Sequence, residues 1–416
     1  MTTIATLVDD TAAQLERQVE IAKDRPGLAL DPYFYRSHLA YRQELTNLLF
    51  KSWIYAAHVS EIPQPGDFVV FEIGEDSIII VRDGEGQIHA LMNICRHRGA
   101  RVCDKASGNT RTFVCPYHAW TYNLDGSMRS ARFMHLKEGF DPKAFGLKKA
   151  KLHIFNGLIL INCNPDAPDP SAPFSKIARQ VGAHGLSQAK VARKTTYKID
   201  ANWKLCLENY QECYHCTPAH PMYAKMHMHE DLYENVKDLH EALLARTVEE
   251  TGVPGIDVSY FAIFSQAEQF GACASADRHA LYEGYVTGAE DGKPLAPLMG
   301  DFKAFDGGAE DVQLGPVTFL LCYPDHSVLY RFIPRGLTET DVEIIWFVRG
   351  DAVEGVDYDV EKLTALWHHT TLEDKYIITQ NNAGVNSFFF EPGPIHPQKE
   401  RHIGYFNEWY LSALVD

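Results

Sequence analysis

Cys95, His97, Cys115 and His118 have the types and spacing to hold a metal cluster: C-x-H, seventeen residues, then C-x-x-H. Each pair falls in a turn after a β run, so two loops can close on one centre from opposite sides. Two thiolates and two imidazoles suit a two-iron, two-sulfur cluster with cysteine on one iron and histidine on the other. Neutral imidazoles raise the potential above that of an all-cysteine cluster, which suits delivery of electrons to an oxygen-activating iron. The alternative is a Cys2His2 zinc site, but zinc modules pair cysteine with cysteine and histidine with histidine. Pro116, Tyr117 and Trp120 would shield a cluster. Cys103 has no metal partner in the pattern and reads as packing.

A second constellation lies in N-W-K-L-C-L-E-N-Y-Q-E-C-Y-H-C-T-P-A-H-P, residues 202–221. His215 and His220 are five residues apart, and Glu212 precedes the first by three. In a helix Glu212 and His215 share a face. Pro218 would break or bend that helix and turn His220 back beside His215. Two imidazoles from one segment, with carboxylates in reach, suit a non-haem iron of two histidines and one carboxylate, with positions left for oxygen. Taken alone, the segment reads more readily as histidines packed among cysteines than as a metal site.

The elements that must position these residues follow from the patterning. Helical periods run over Thr11–Ala22 and Ser37–Phe50, a lead-in separated by Arg25-Pro26-Gly27. Short β runs follow at 67–72, 77–82 and 88–92, the last two flanking the turn Asp83–Gly86. Further runs at 112–114, 119–122 and 158–162 complete a small all-β domain over residues 51–165. The Pro-rich span 164–173 reads as a boundary loop. Beyond it, strands are expected at 191–199, 259–265, 317–323, 327–333 and 341–348, a loop over 265–316, and helices over 202–221 and Val360–Asn382. The fold class is therefore α+β: a lead-in (1–50), an all-β domain (51–165) and an α+β domain with an antiparallel sheet (166–416).

The chain has 416 residues, 45% apolar, with a formal charge of −16. That charge argues against nucleic acid as a partner. No apolar run approaches the ~20 residues that span a bilayer, so no membrane association is expected. The acidic start, with Asp9 and Asp10, does not read as a signal peptide, which makes the cytoplasm the expected compartment. Nine cysteines in such a chain imply thiols or metal ligands, not disulfides.

Several pieces resemble the catalytic (alpha) subunits of the Rieske non-haem iron oxygenases: C-R-H-R-G-A at 95–100, C-P-Y-H-A-W-T-Y at 115–122, N-W-K at 202–204 and E-N-Y-Q-E-C-Y-H-C-T-P-A-H-P at 208–221. The resemblance runs from about Trp53 to Tyr410. It implies a Rieske [2Fe–2S] domain on Cys95, His97, Cys115 and His118, and a helix-grip-like catalytic domain. It also implies a mononuclear Fe(II) on His215, His220 and a late aspartate, with O2 as co-substrate. Asp374 occupies the aspartate's position, inside the apolar stripe Leu363, Leu366, Trp367, Ile377 and Ile378, whereas its rival Glu373 falls at the margin. Ala119 stands where the family has glycine, harmless provided the loop is not left-handed there.

Glu212 departs from the commoner aspartate, and the subgroup with glutamate acts on quaternary ammonium compounds. The resemblance makes Glu212 an electron-transfer bridge from His215 to His118 of a neighbouring chain, in a head-to-tail homotrimer. No nucleotide-binding G-x-G-x-x-G and no second cysteine cluster occur, so a separate NAD(P)H-dependent flavin and iron–sulfur reductase is implied. Residues 281–308 and 391–394 are similar to oxygenases that demethylate glycine betaine and proline betaine. The expected reaction is oxidative N-demethylation with release of formaldehyde. Tyr260, Phe261, Phe264, Phe319 and Tyr323 are candidate walls of an aromatic cage for the cation. The alternatives are hydroxylation of an aromatic ring, with Arg246, Arg331 or Arg335 clamping an acid, and a non-catalytic iron–sulfur carrier, which would have no use for a second iron site.

Overall fold

The structure, a computed structural model, describes residues 10–228, 233–252 and 273–415. The chain begins with α1 (Ala12–Lys23), α2 (Pro32–Arg36) and α3 (His38–Gln43), then passes through a π-helical turn over Glu44–Leu49. Thr11 caps α1 by accepting from the Gln14 N–H.

Ten short strands follow: β1 (Ile54–His58), β2 (Asp67–Ile73), β3 (Asp76–Arg82), β4 (Ile88–Met92), β5 (Ser107–Asn109), β6 (Phe113–Val114), β7 (Thr121–Tyr122), β8 (Met128–Ser130), β9 (Lys151–Phe155) and β10 (Leu158–Asn162). They form antiparallel sheets ordered β4-β3-β2-β5, β6-β7-β8 and β1-β10-β9. The β3–β4 turn is set by Asp83, whose carboxylate takes the N–H groups of Glu85 and Gln87, and by left-handed Gly86. The first two sheets share a core of Phe68, Ile79, Leu91, Trp120 and Tyr122, into which Cys95 and Cys115 are packed.

The remainder is built on one six-stranded antiparallel sheet: β11 (Ala189–Ile199), β12 (Ala274–Ala280), β13 (Gly308–Leu314), β14 (Thr318–Cys322), β15 (Ser327–Gly336) and β16 (Glu339–Arg349), ordered β11-β16-β15-β14-β13-β12. Alternate residues serve opposite faces. Leu320, Leu329 and Ile345 pack against Phe174, Ile177 and Val181 of α4 (Ser171–Ala183). Phe319, Tyr330 and Ile344 belong to the core shared with α5 (Trp203–Tyr210) and α8 (Val360–Val385). Short α6 (Cys216–Ala219) and longer α7 (Tyr233–Thr251) lie between α5 and β12, and α9 (Arg401–Ala413) closes the chain. No described helix is long and apolar enough to cross a membrane.

Two expectations are corrected. The stretch 265–316, read as loop, contributes β12 and β13; strands with so few β-branched residues carry little propensity signal. The Pro-rich span gives way to α4 at Ser171, because Pro173 falls in the first turn, where its missing N–H is tolerated. The strand expected over 259–265 lies outside the described residues.

The lead-in packs into the core shared with α5 and α9. Glu44, fully buried, receives Lys204 Nζ at 2.5 Å, Trp203 Nε1 at 2.7 Å and the Tyr410 hydroxyl at 2.6 Å. This knot fixes the first turn of α5, the helix that leads into the candidate site.

Candidate functional site

The two Cys/His loops fold alike. Cys95 N–H donates to Ala100 O and Gly99 N–H to Cys95 O; Cys115 N–H donates to Trp120 O and Ala119 N–H to Cys115 O. Each loop turns back through a left-handed residue four places after its cysteine, Gly99 at φ +79 and Ala119 at φ +57. The condition under which the Ala119 methyl is harmless is therefore not met, and it sits in a conformation costly for an L-residue. The loops bring His97 Nδ1 within 3.2 Å of His118 Nδ1, while both cysteines are buried below. The Tyr122 hydroxyl lies 3.3 Å from Cys95 Sγ and accepts from the Arg96 N–H. The His97 ring stacks on Trp120 and the His118 ring on Tyr117. Both histidines are exposed at the surface.

The second site departs from the helix expected through 202–221. Asn202 caps α5 through the Lys204 N–H, but α5 stops at Tyr210, before any proline. Glu212 replaces the missing helical bonds: its Oε2 accepts from the N–H groups of Tyr214 and His215, the latter at 3.2 Å. Its Oε1 meets His215 Nδ1 at 2.5 Å. Pro218 sits inside α6, and His220 ends that helix at φ −123 and ψ 73, outside the helical region, with its N–H donating to Cys216 O. Cys213 and Cys216 form a disulfide, which corrects the expectation of thiols throughout. It is a local ring around Tyr214 and His215, so it needs no secretory disulfide framework, and the other seven cysteines are free.

These turns bring His215, His220 and Asp374 together, one donor atom of each within 4.8 Å of the others. His220 Nε2 lies 3.0 Å and His215 Nε2 3.4 Å from Asp374 Oδ1. Asp374 comes from α8, started by Asp359 accepting from the Glu361 N–H and held by buried Leu363, Leu366 and Trp367. Glu373, the sequence rival, holds His220 Nδ1 at 2.9 Å. Each imidazole thus has a carboxylate on Nδ1 and presents Nε2 to Asp374, the arrangement that orients histidines for a metal. Burial pulls the His215 pKa down, but hydrogen bonds with Asp374 and Glu212 outweigh it and carry it to about 9. Burial likewise raises Asp374, and hydrogen bonds from the two histidines hold it below the usual carboxylate range. Two imidazoles and one carboxylate are a donor set for a divalent first-row metal with open positions.

The three residues line a cavity of about 620 Å³. Its aromatic wall differs from the one expected. Phe319 lines it, joined by Tyr210, Tyr223, Tyr330 and Trp367. Tyr210 packs 4.7 Å from Phe319 and 4.9 Å from Tyr330, between ring centroids. Tyr323 is fully buried, 2.7 Å from His227 Nε2, and does not line the cavity. Tyr260, Phe261 and Phe264 lie outside the described residues. Nor do the candidate clamp arginines line the cavity: Arg331 binds Glu343 and the carbonyls of Tyr55 and Ala56, Arg335 binds Asp341, and Arg246 binds the Asp306 carbonyl.

Residues 186–415 match the family model of the ring hydroxylating alpha subunit (catalytic domain), and residues 52–139 that of the Rieske [2Fe-2S] domain. The chain is 32% identical over 391 residues to the glycine betaine monooxygenase oxygenase subunit of Pseudomonas aeruginosa, covering 94% of this chain and 90% of that one. It is 35% identical over 190 residues to the carnitine monooxygenase oxygenase subunit of Escherichia coli K12, 45% of this chain and 51% of that one. Its fold resembles that of a quaternary ammonium Rieske monooxygenase, with TM-score 0.70 and 22% identity over 95% of this chain and 97% of that one. It also resembles naphthalene 1,2-dioxygenase from Rhodococcus sp., with TM-score 0.67 and 19% identity over 99% of both chains.

Proposed function

This chain belongs to the Rieske non-haem iron oxygenases, oxidoreductases whose alpha subunits carry a [2Fe–2S] cluster and a mononuclear iron and use O2, and from that premise we propose that it removes an N-methyl group from a small quaternary ammonium compound. The observation that carries this reading is the meeting of His215, His220 and Asp374 in a cavity walled by Tyr210, Tyr223, Phe319, Tyr330 and Trp367. Aromatic faces suit a cation that cannot donate hydrogen bonds. Burial keeps the Tyr210, Tyr223 and Tyr330 hydroxyls protonated, with pKa values well above the ordinary one, so the wall stays neutral and apolar. Relatives acting on glycine betaine and carnitine support the substrate class.

The residues fit both groups. We assign the cluster to Cys95, Cys115, His97 and His118, whose Nδ1 atoms already converge, and the iron to Nε2 of His215 and His220 with Asp374. Bound there, the two groups supply electrons and activate O2. The chain's own residues do the rest. Glu212 and Glu373 fix the two imidazoles. The aromatic wall holds the substrate with one N-methyl group toward the triad and keeps water from it. Insertion of one oxygen atom into a methyl C–H bond, with two electrons and two protons reducing the other atom to water, yields an N-hydroxymethyl product. Loss of formaldehyde and a proton leaves the tertiary amine.

We assign electron acceptance to residues 51–165 and oxygenation to residues 166–416, with the 1–50 lead-in packed against the latter. His97 and His118 lie at the surface, with exposed Tyr117 stacked on His118, and Glu212 accepts from the N–H of exposed Tyr214. Two such faces suit a head-to-tail homotrimer in which Glu212 links His215 to the partner's cluster. A separate NAD(P)H-dependent flavin and iron–sulfur reductase supplies the electrons.

The test is a panel of glycine betaine, carnitine and aromatic acids with a generic reductase, reading formaldehyde and NADH consumption. Formaldehyde equivalent to amine formed is expected from a betaine; its absence with every amine would defeat the demethylase reading.

A further inference from the structure

β12 and β13 place two carboxylates opposite each other: Asp277 pairs with Asp311 in the antiparallel register. Both line the cavity that contains the iron triad. Like charges directly opposite on neighbouring strands destabilise a sheet, so the pair costs the fold something. The site is enclosed but open to the cavity: Asp277 is half-buried, and the Asp311 side chain keeps 37% of its accessible surface. Burial and then Glu310 push the Asp277 pKa to about 7, and burial and then Asp277 hold Asp311 well above the carboxylate range. His279 Nδ1 lies 3.3 Å from Asp311, and Arg401 offsets part of the charge on Asp277. Among the described residues, Arg278 of β12, which is paired with Asp306 and Glu310, His240 and Glu241 of α7, and Lys399 and His402 near the start of α9 are further charged or titratable groups lining the cavity.

The neighbouring row on the same sheet face is aromatic. Gln313 pairs with Phe319, and Phe319 with Tyr330, while Asp311 pairs with Leu321. The acid row is thus two residues along the strands from the aromatic row, roughly 7 Å. Asp311, like Asp374, acts electrostatically on Tyr210 and Tyr223 of the aromatic wall. Aromatic faces abutting paired carboxylates, in one enclosed space, match a bulky cation that gives no hydrogen bonds.

We propose that Asp277 and Asp311 are specificity-determining residues that select the substrate's quaternary ammonium charge, beside the aromatic wall. This rests on the quaternary-ammonium reading above and adds that charge, and not shape alone, decides what enters. The entering cation opposes burial and the neighbouring acids, which disfavour ionisation of the pair, and favours the charged form, so charge counts in binding.

Binding is measured without turnover, by calorimetry on the iron-loaded holoenzyme, with choline and its uncharged carbon isostere 3,3-dimethylbutan-1-ol as probes. The wild type is expected to prefer choline by about tenfold or more, the scale of a charge contact in a partly shielded cavity. Asp277→Asn and Asp311→Asn should each lose most of that preference while affinity for the isostere stays the same or rises; Asp311→Glu should retain it. An unchanged preference in both Asn variants would overturn the proposal. If neither variant folds, equal wild-type affinity for the two probes would overturn it equally, since a charge filter must separate them. Formaldehyde release from the betaine panel is read on the same preparation: selective choline binding without demethylation removes the functional reading and leaves the cation site standing.

Discussion

Replacing Glu212 by glutamine separates two roles of this residue. The carboxylate takes His215 Nδ1–H at 2.5 Å and the His215 backbone N–H at 3.2 Å. Glutamine keeps the length and one acceptor oxygen, so the turn around Tyr214 should survive. What is lost is charge. A charge-assisted hydrogen bond is about twice as strong as a neutral one, a difference of about 1.4 kcal/mol or tenfold. If Glu212 only orients His215, iron affinity should fall by about tenfold, within the range for residues behind a metal ligand, and activity should return at saturating iron. If it also joins His118 of the next subunit, a second contact weakens and reoxidation of the cluster slows by about a hundredfold in total even with iron saturating. The assay is a stopped-flow single turnover: cluster reduced beforehand, mixed with O2 and substrate, with its visible absorption followed as it returns. A rate within about twofold of wild type at full iron occupancy would refute the bridge, because no contact of this strength can be lost at so small an effect.

Asp374→Ala removes the triad's only carboxylate donor, so iron should drop from about three to about two per chain, with the cluster's visible spectrum intact; loss of that spectrum would mean the assignment of the two sites is wrong. Ala119→Gly relieves a left-handed alanine at φ +57 and should stabilise the cluster domain by about 1 kcal/mol, read as a higher temperature for thermal bleaching; an equal or lower temperature would contradict the strain. Glu208, hydrogen-bonded by the Tyr35 hydroxyl at 2.8 Å, has its pKa raised by burial from 4.5 to about 7. The folded state therefore holds the proton more tightly, and stability is lost as pH rises from about 4.5 to 7, by about 3 kcal/mol. Thermal midpoints of the wild type and Glu208→Gln between pH 5 and 8 should diverge in favour of the variant as pH rises; parallel curves would remove Glu208 as the cause.

Legibility followed the range of the interaction. The C-x-H and C-x-x-H loops are local, and a turn of five or six residues is written in its own sequence, so their two-loop geometry could be read directly. Asp374 was reachable because an apolar stripe fixes the face of a long helix. The role of Glu373 was not: its partner His220 is 153 residues away, and nothing near position 373 encodes it. The break after Tyr210 was misplaced because the proline drew attention, whereas the Glu212 side chain ends the helical bonding earlier. β12 and β13 were invisible for a related reason. Their polar alternation, Ser275, Asp277 and His279 on one strand and Asp311 and Gln313 on the other, faces an internal cavity, and without strong β-formers such a pattern looks like loop. The residues least like a strand, Ser275, Asp277, His279, Asp311 and Gln313, all line that cavity.

The knot at Glu44 bears on how far this protein can be divided. Lys204 sits at the start of the helix that leads to the iron site, fully buried, with burial pressing its pKa down and Glu44 opposing that. The carboxylate it depends on lies before the small β domain, and the hydroxyl that completes the knot, on Tyr410, lies in the last helix. A fragment cut between the two domains would strand a buried ammonium, a loss of about 3–5 kcal/mol. Modularity here is a property of the sequence motifs and not of the chain: the cluster loops lie between segments, at Glu44 and at Lys204 and Tyr410, that pack together. Shuffling of the cluster domain between relatives should therefore be attempted as an internal exchange, with both flanks kept from the same parent.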